Sequence, residues 1–399
     1  MMSRMPMSPL GTHIEFLTSG SRGWQQYYSS SGALFLRIQN VGRNRLSLDD
    51  VAYVSVSEGA ETARTQVKPD DVLLSITADL GRSAVVPRGL GTAYINQHLA
   101  LIRAPSICSG YLSWYLCSDF GMRQIAKRDR GGVKSGLNFD DIKSLEIPLP
   151  PFAEQLRVAE ILDKADAIRR KRQEAIALTE QLLRSTFLEM FGDAAKHGWA
   201  ASSVEQLAHS KHGSIRTGPF GSDLRHSEFV DGGIAVLGID NAVENEFMWG
   251  EKRFITQSKY EDLQRYRVFP GDIIITIMGT CGRCAIIPDD LPLAINTKHL
   301  CCITLDRGKC LPEFLHSYFL FHPDARAYLE QRAKGAIMDG LNMGIIRALP
   351  APIAPMELQF RYQAFSVALA GTKKRLIAHA RHSDDLFNSL AQRAFSGQL

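Results

Sequence analysis

A chain of 399 residues, 45% hydrophobic and 22% charged, has the composition of an ordinary globular protein with room for two or three separate cores. A formal net charge of only +4 excludes a global field for polyanions, so any nucleic-acid contact must come from local patches. No apolar run reaches the length of a membrane span, and residues 1–9 lack the apolar centre of a signal peptide, so the expectation is a cytoplasmic protein without a membrane partner.

The first 151 residues read as β-rich. Leu34 to Ile38 and Val72 to Ile76 are short apolar runs, the second entered by the turn Lys68-Pro69-Asp70-Asp71, which is the pattern of a buried strand. A helical stretch spans Tyr111 to Arg128, and Ile142 to Leu149 reads as a last extended segment stopped by Pro150-Pro151. The texture then changes. Phe152 to Phe191 holds no Gly or Pro over 40 residues and is rich in strong helix formers. Such a helix is about 60 Å long. Ile161, Ile168, Ala175 and Leu182 recur every seven residues, with Val158 and Ala165 between them, and propose a heptad seam interrupted by Arg172 and Thr179. Residues 193–355 return to the β-rich texture, with strands at Ala235 to Ile239 and Ile273 to Ile277, a helical stretch from Pro312 to Lys334 and an extended one from Ile346 to Ile353. A second long helix fills residues 356–399, its apolar face drawn from Phe365, Leu369, Leu376, Leu386, Phe387 and Leu390.

This order is a duplication. A shift of 201 places Gly20-Ser21 on Gly221-Ser222, Gly32 on Gly233, Asn40 on Asn241, Asp71 on Asp272 and Gly81-Arg82 on Gly282-Arg283, with no gap between Ile14 and Pro87. After small insertions a shift of 204 brings Gly136-Leu137-Asn138 onto Gly340-Leu341-Asn342. A period near 200 is too long for a solenoid, so it reads as two related domains with different targets. A lone helix with an apolar seam wants a partner, and its own repeat is the nearest in the chain. The second helix then returns antiparallel to the first and holds the two domains at opposite ends of a rod.

Cys281-x-x-Cys284 with Cys301-Cys302 and Cys310 has the outline of a zinc site. The first copy builds the same element with Leu80, Ser83, Ala100 and Leu101, so the cysteines are expected to be structural and no metal is expected. There is no Gly-x-x-x-x-Gly-Lys-Ser/Thr loop, no Gly-x-Gly-x-x-Gly after a strand and no Asn-Pro-Pro-Tyr or Asp-Pro-Pro-Tyr tetrapeptide. A DNA-acting enzyme, a nuclease or a single-chain methyltransferase, is the rival reading. Its best cluster, Asp70 with Asp141-x-Lys143, is not repeated in the second copy, where Ile345 and Arg347 stand in place of the last two.

Pro148-Leu149-Pro150-Pro151-Phe152-Ala153-Glu154-Gln155 running into Ile161-Leu162-Asp163-Lys164-Ala165-Asp166 resembles the central conserved region of type I restriction–modification specificity subunits. Phe187 to Asp193, the C-terminal Ala394-Phe395-Ser396-Gly397-Gln398-Leu399, and the openings Gly20 to Trp24 and Gly218 to Ser222 resemble the same family, so the likeness covers nearly the whole chain. The second copy departs from it with Met356-Glu357-Leu358-Gln359. The resemblance implies an α+β fold: two β-rich target recognition domains, residues 1–151 and 193–355, in pseudo-two-fold arrangement, joined by two long antiparallel coiled-coil-like helices, residues 152–192 and 356–399. It further implies a non-catalytic subunit that reads a bipartite site in double-stranded DNA, binds two methyltransferase subunits and restriction/translocase subunits, and needs no cofactor of its own. S-adenosylmethionine, ATP and Mg would act in the partners.

Base readout needs side chains that reach base edges and others that hold phosphates. In the first copy the candidates are Ser21, Arg22, Trp24, Gln25 and Tyr27, a Gly-bounded stretch of guanidinium, amide and aromatic groups, unless it is an ordinary loop with Trp24 buried. Ser222 and Arg225 are their counterparts. Arg128, Arg130 and Lys134, matched by Lys334, form a glycine-hinged basic loop suited to phosphates or simply solvated. Arg82 and Arg283 are either phosphate contacts or structural ion pairs, and Asn40 and Asn241 either touch a base or cap a turn. On the helices, Arg169, Arg170 and Lys171 with Lys373, Lys374 and Arg375 are candidates for spacer DNA or acidic partners, or a solvated face. Glu154 and Gln155 are candidates for subunit contact.

Overall fold

A computed structural model of the chain describes residues 5–20, 22–129, 136–193, 197–333 and 340–399. They form two compact units, Met1–Gln173 with Ala378–Leu399, and Glu174–Ile377. Each unit holds one β-rich body and a length of both long helices. Among the described residues no helix is long and apolar enough to cross a membrane.

The two bodies have matching sheets. In the first unit, Phe16–Ser19, Leu99–Arg103, Val72–Ser75 and Ser83–Val85 lie side by side in that order, all antiparallel. A second sheet orders Tyr28–Ser29, Ala52–Val54, Ala33–Leu36 and Ala93–Ile95, the last pair parallel. Met7–Pro9 pairs with Glu146–Pro148 and closes the body. The second unit repeats the first sheet with Ile215–Thr217, Leu300–Ile303, Ile273–Thr276 and Cys284–Ile286. Its other sheet ends instead in Arg267–Val268, which pairs with Ala294–Asn296, and Ala201–Ser203 pairs with Pro350–Pro352.

The unbroken apolar runs follow from burial on both faces. Val72 and Leu74 point to a core shared with Tyr111, Trp114 and Leu162, while Leu73 points to one with Leu36, Ala84 and Ile95. Ile273 and Ile275 against Ile274 divide the same way. A strand covered on both sides cannot alternate with polar residues. The turn before each strand is closed by a buried carboxylate. Asp71 accepts from the Lys68 N–H at 2.7 Å and Asp272 from the Phe269 N–H at 2.9 Å. Each is answered by an arginine from a different strand: Arg103 grips Asp71 with two bonds of 2.7 Å, whereas Arg216 reaches Asp272 at 2.7 Å.

The expected helical stretches are each split, into Ser109–Leu116 and Asp119–Arg128 and into Pro312–Phe321 and Pro323–Ala333, and two expected extended segments also differ. Ile142 to Leu149 begins as the helix Phe139–Lys143 and becomes a strand only at Glu146–Pro148; Met343–Ala348 and Pro350–Pro352 repeat this. Asn138 and Asn342 cap these helices, each accepting from the N–H three residues on, which starts a helix where apolar content alone suggested extension.

The long helices run Phe152–Phe191 and Met356–Ser396. Within the first unit they lie antiparallel, Arg172 meeting His379 and Ser383 while Arg169 sits over the Phe387 ring at 5.0 Å. Within the second unit Glu180 meets Lys373 at 3.0 Å and Phe187 meets Tyr362 at 5.4 Å between ring centroids. The heptad seam is corrected: Ile168 is 51% and Leu182 47% exposed. The buried stripe is Val158, Leu162 and Asp166, then Thr179, Phe187 and Phe191. Each helix packs against a β-rich body as well as its partner helix, and aromatic side chains such as Trp114 and Phe387, rather than a two-helix seam, fill the groove. For the same reason Phe387 is buried while Leu386 beside it is 59% exposed.

Candidate nucleic-acid interface

The structure replaces the gapless register of the duplication. Phe16–Ser19 pairs with Leu99–Arg103 so that Leu17 faces Ile102, and Ile215 faces the equivalent Ile303. The shift at these strands is therefore 198, and Gly20 corresponds to Gly218, not to Gly221. Both glycines meet the following chain so closely that a Cβ would lie 2.0 Å from the carbonyl oxygen of Ile95 or of Asn296. By Gly32 and Gly233 the shift is 201 again, so the intervening loop is three residues longer in the second unit. Within that loop the two copies expose different side chains.

In the first unit it holds the short 3-10 helix Trp24–Tyr27, entered through Gly23 at φ 88°. Trp24 is corrected from a candidate reader to an anchor. It is 4% exposed, stacked on Phe35 at 5.1 Å and 9°, beside Tyr94 at 5.3 Å, with its indole N–H donating to Glu61 at 2.8 Å. Arg22, Gln25 and Tyr27 stand exposed around it, and Tyr28 and Tyr53 extend the aromatic surface. Ser21 lies outside the described residues. The equivalent loop of the second unit exposes Phe220, Ser222, Arg225 and His226.

Other candidates turn inward. Asn40 and Asn241 are buried turn caps: each side-chain oxygen accepts the N–H three residues earlier, from Arg37 or Gly238, and each amide donates to Ser47 O or Met248 O. Arg82 is ion-paired with Asp79, while Arg283, at the same turn, is exposed with Thr280 in the aspartate's place. Arg128 donates to Gln124 O, Ser144 O and Ser144 Oγ and ties its helix to the following one. Arg130, Lys134 and Lys334 lie outside the described residues. Gln155 is corrected from a subunit contact to an internal clamp. It accepts from the Cys108 N–H at 2.9 Å and donates to Pro150 O, and Gln359 does the same with Leu311 and Ala354. Glu154, in the same first turn, is half-buried.

The helix cations do not form one outward cluster. Arg169 and Arg170 pair with the buried Asp166 at 2.6 and 2.8 Å, and Lys373 with Glu180 at 3.0 Å and Glu246 at 2.6 Å. These partners raise the Lys373 pKa against the opposing effect of its burial. Lys171, Lys374 and Arg375 stay exposed.

Sequence reasoning missed one basic surface. In the second unit Lys211, His212, Arg265, Arg267 and Arg347 line an open cavity of about 850 Å³, together with Tyr266 and Phe269 and with no Asp or Glu in its wall. Arg265 lies over Tyr266 at 4.7 Å and Arg267 over Phe269 at 4.8 Å, an arrangement that orients each guanidinium and leaves its edge to donate. The Arg265–Asp223 contact, 3.4 Å between exposed groups, is weak in water. Arg216 forms the floor but is committed to Asp272. The first unit places Arg64 and Lys143 at the positions of Arg265 and Arg347, though Arg64 donates to Thr18 and Ser19. The alternation Arg265-Tyr266-Arg267-x-Phe269 was the sequence signal available. Five of the seven cysteines are buried, and burial pushes the Cys301 and Cys310 thiols up to about 12, so these are neutral packing groups. Among the described residues no cluster of three His, Cys, Asp or Glu is placed to hold a metal ion.

Residues 40–178 match the family described as Type I restriction modification DNA specificity domain. The chain is 25% identical over 185 residues to the type I restriction enzyme EcoBI specificity subunit of Escherichia coli, covering 44% of this chain but only 38% of that subunit. It is 22% identical over 439 aligned positions to the EcoKI specificity subunit of Escherichia coli strain K12, covering 99% of this chain and 88% of the relative. Among solved structures, the crystal structure of a type I restriction–modification S subunit from M. genitalium aligns with a TM-score of 0.62 at 12% identity, over 98% of this chain and 96% of that one. A chain from a structural study of complex assembly and conformational transition of the type I R-M system aligns with a TM-score of 0.57 at 17% identity, over 99% and 98%.

Proposed function

We propose, for a chain that belongs to the family of type I restriction–modification specificity subunits, that it recognises a bipartite sequence in double-stranded DNA. Each β-rich body reads one half-site, and the long helices set the spacer. One observation carries this reading: two bodies share sheets, turn carboxylates and turn caps, yet differ in the loop that follows Gly20 or Gly218. Equal scaffolds with unequal loops are what two different half-sites require. Exposed Arg22, Gln25 and Tyr27 on one body, and Ser222, Arg225 and His226 on the other, supply the base-edge donors and acceptors. The Lys211–Arg347 cavity supplies phosphate contacts.

Two methyltransferase subunits and the restriction subunits dock on the helices, and S-adenosylmethionine, ATP and Mg act in those partners. The exposed apolar residues support a protein-binding role. Leu156 and Phe360, 204 positions apart, are 50% and 54% exposed, and Leu182 and Leu386 are likewise equivalent. The rival is a DNA-acting enzyme. Purified chain should protect a bipartite site when combined with a methyltransferase partner and should neither methylate nor cleave by itself. Exchange of residues 1–151 for those of another family member should change one half-site only. Methyl transfer or cleavage by the isolated chain would favour the enzyme.

A further inference from the structure

The same cavity occurs in both units with different electrostatics. It lies beside the turn that carries Arg82 or Arg283, each preceded by a left-handed glycine, at φ 85° for Gly81 and 80° for Gly282. Each arginine N–H donates to the hydroxyl of Ser75 or Thr276, at 2.9 or 3.0 Å. The opposite wall is the helix Asp119–Arg128 or Pro323–Ala333, in register through the buried Ile125 and Leu329.

In the first unit the wall holds Arg43 and Arg82 against Asp79 and Asp119, a formal charge of zero. Arg82 is paired with Asp79, and Arg43 lies over the Phe387 ring at 5.4 Å. In the second unit Thr280 and Pro323 stand where the two aspartates were, and Arg326 stands where Met122 was. Arg184 of the central helix completes a set of three arginines around about 500 Å³, with Leu188 and Phe321 as apolar wall and no acid in the lining. Glu244 replaces Arg43 but does not line the cavity. Arg326 touches Glu330 at 2.9 Å, an exposed pair screened by water. Among the described residues Arg184 and Arg283 make no ion pair.

We infer that this cavity of the second unit is a phosphate-binding site built from Arg184, Arg283 and Arg326. Three guanidinium forks need at least three acceptor oxygens on one compact anion. A phosphate provides them and a single carboxylate does not. The phosphate comes either from the DNA backbone or from a free nucleotide, and the site stands on its own geometry whichever is the source.

The test uses the full-length chain, inorganic pyrophosphate and a random-sequence duplex, with Arg283→Gln/Arg326→Gln as the loss variant and Arg283→Lys/Arg326→Lys as the charge-preserving one. Thermal melts check that all variants fold. Pyrophosphate should raise the melting temperature of the wild type saturably, less in the lysine variant and not in the glutamine variant. If the source is DNA, the slope of log affinity against log salt should also fall by about 0.9 per lost phosphate in the glutamine variant. A slope that is unchanged while the pyrophosphate response is lost assigns the site to a free nucleotide. A chain that binds pyrophosphate but no duplex keeps the site and overturns the DNA reading. Identical melts and identical slopes for wild type and glutamine variant would overturn the site.

Discussion

The placement of Trp24 separates an anchoring role from a reading role, and two substitutions tell them apart. Trp24→Ala removes an indole that is 4% exposed, stacked on Phe35 and packed beside the tilted Tyr94 ring, next to the exposed Arg22, Gln25 and Tyr27. Loss of a buried aromatic costs about 3–5 kcal/mol. Trp24→Phe keeps a stacking ring but removes the N–H bond to Glu61 and part of the buried indole volume, so it costs less than Trp24→Ala but more than the hydrogen bond alone. A bond to a charged acceptor is worth about 1.5–3 kcal/mol, and the lower end applies because Glu61 is exposed and regains water. Stability is read by urea denaturation, and sequence preference by methylation of a duplex library randomised in both half-sites, with a methyltransferase partner present. Trp24→Ala should lose discrimination at one half-site while the other keeps its letters. Trp24→Phe should keep both. A Trp24→Phe variant with unchanged stability but altered letters would refute the anchor and return the indole to the reading surface.

Asp272→Ala should cost about 3–5 kcal/mol, because it strands the buried Arg216 guanidinium without its countercharge; a loss under 1 kcal/mol in denaturant melts would contradict that. Replacing Arg265, Arg267 and Arg347 by Gln should reduce the salt slope of duplex binding by up to about 2.7, at about 0.9 per phosphate contact, equally for all sequences. A sequence-selective loss would show that these side chains touch bases. Burial holds the His316 pKa below its ordinary 6.5 while Nε2 meets the Asn245 and Cys284 carbonyl oxygens. The unfolded chain therefore takes up a proton first as pH falls. The contribution to stability is whole above pH 6.5 and shrinks below it, and His316→Gln should flatten the melting temperature between pH 7.5 and 5.5. An unchanged pH profile would remove His316 as the cause.

Most of the fold was legible because its signals are local. The apolar runs Val72 to Ile76 and Ile273 to Ile277, the turns before them, and 40 residues without Gly or Pro each depend on neighbours a few positions away. The candidate site was less legible. Arg22 and Trp24 are two positions apart, yet one is exposed and the other buried, since Phe35 and Tyr94 arrive from distant strands to form the slot. Asn40 and Asn241 were readable as turn caps or base contacts, and only the carbonyl oxygens of Ser47 and Met248 decide between them. Arg265 and Arg267 escaped notice because the residues completing their surface, Lys211 and Arg347, lie 54 and 82 positions away from Arg265.

That one body is written twice, and that an uninterrupted helix follows each copy, can be read along the chain, because repetition and helical propensity need no knowledge of long-range contacts. Tertiary structure alone decided the register at Gly20 and Gly218, where a passing backbone leaves no room for a Cβ. It decided which helix stripe is buried, since that depends on the aromatic groups packed against it. It also decided that Asp71 and Asp272, matched in sequence, are answered by arginines from different strands. A buried carboxylate needs a countercharge within reach, and which strand supplies it is set by distance in space, not by position along the chain.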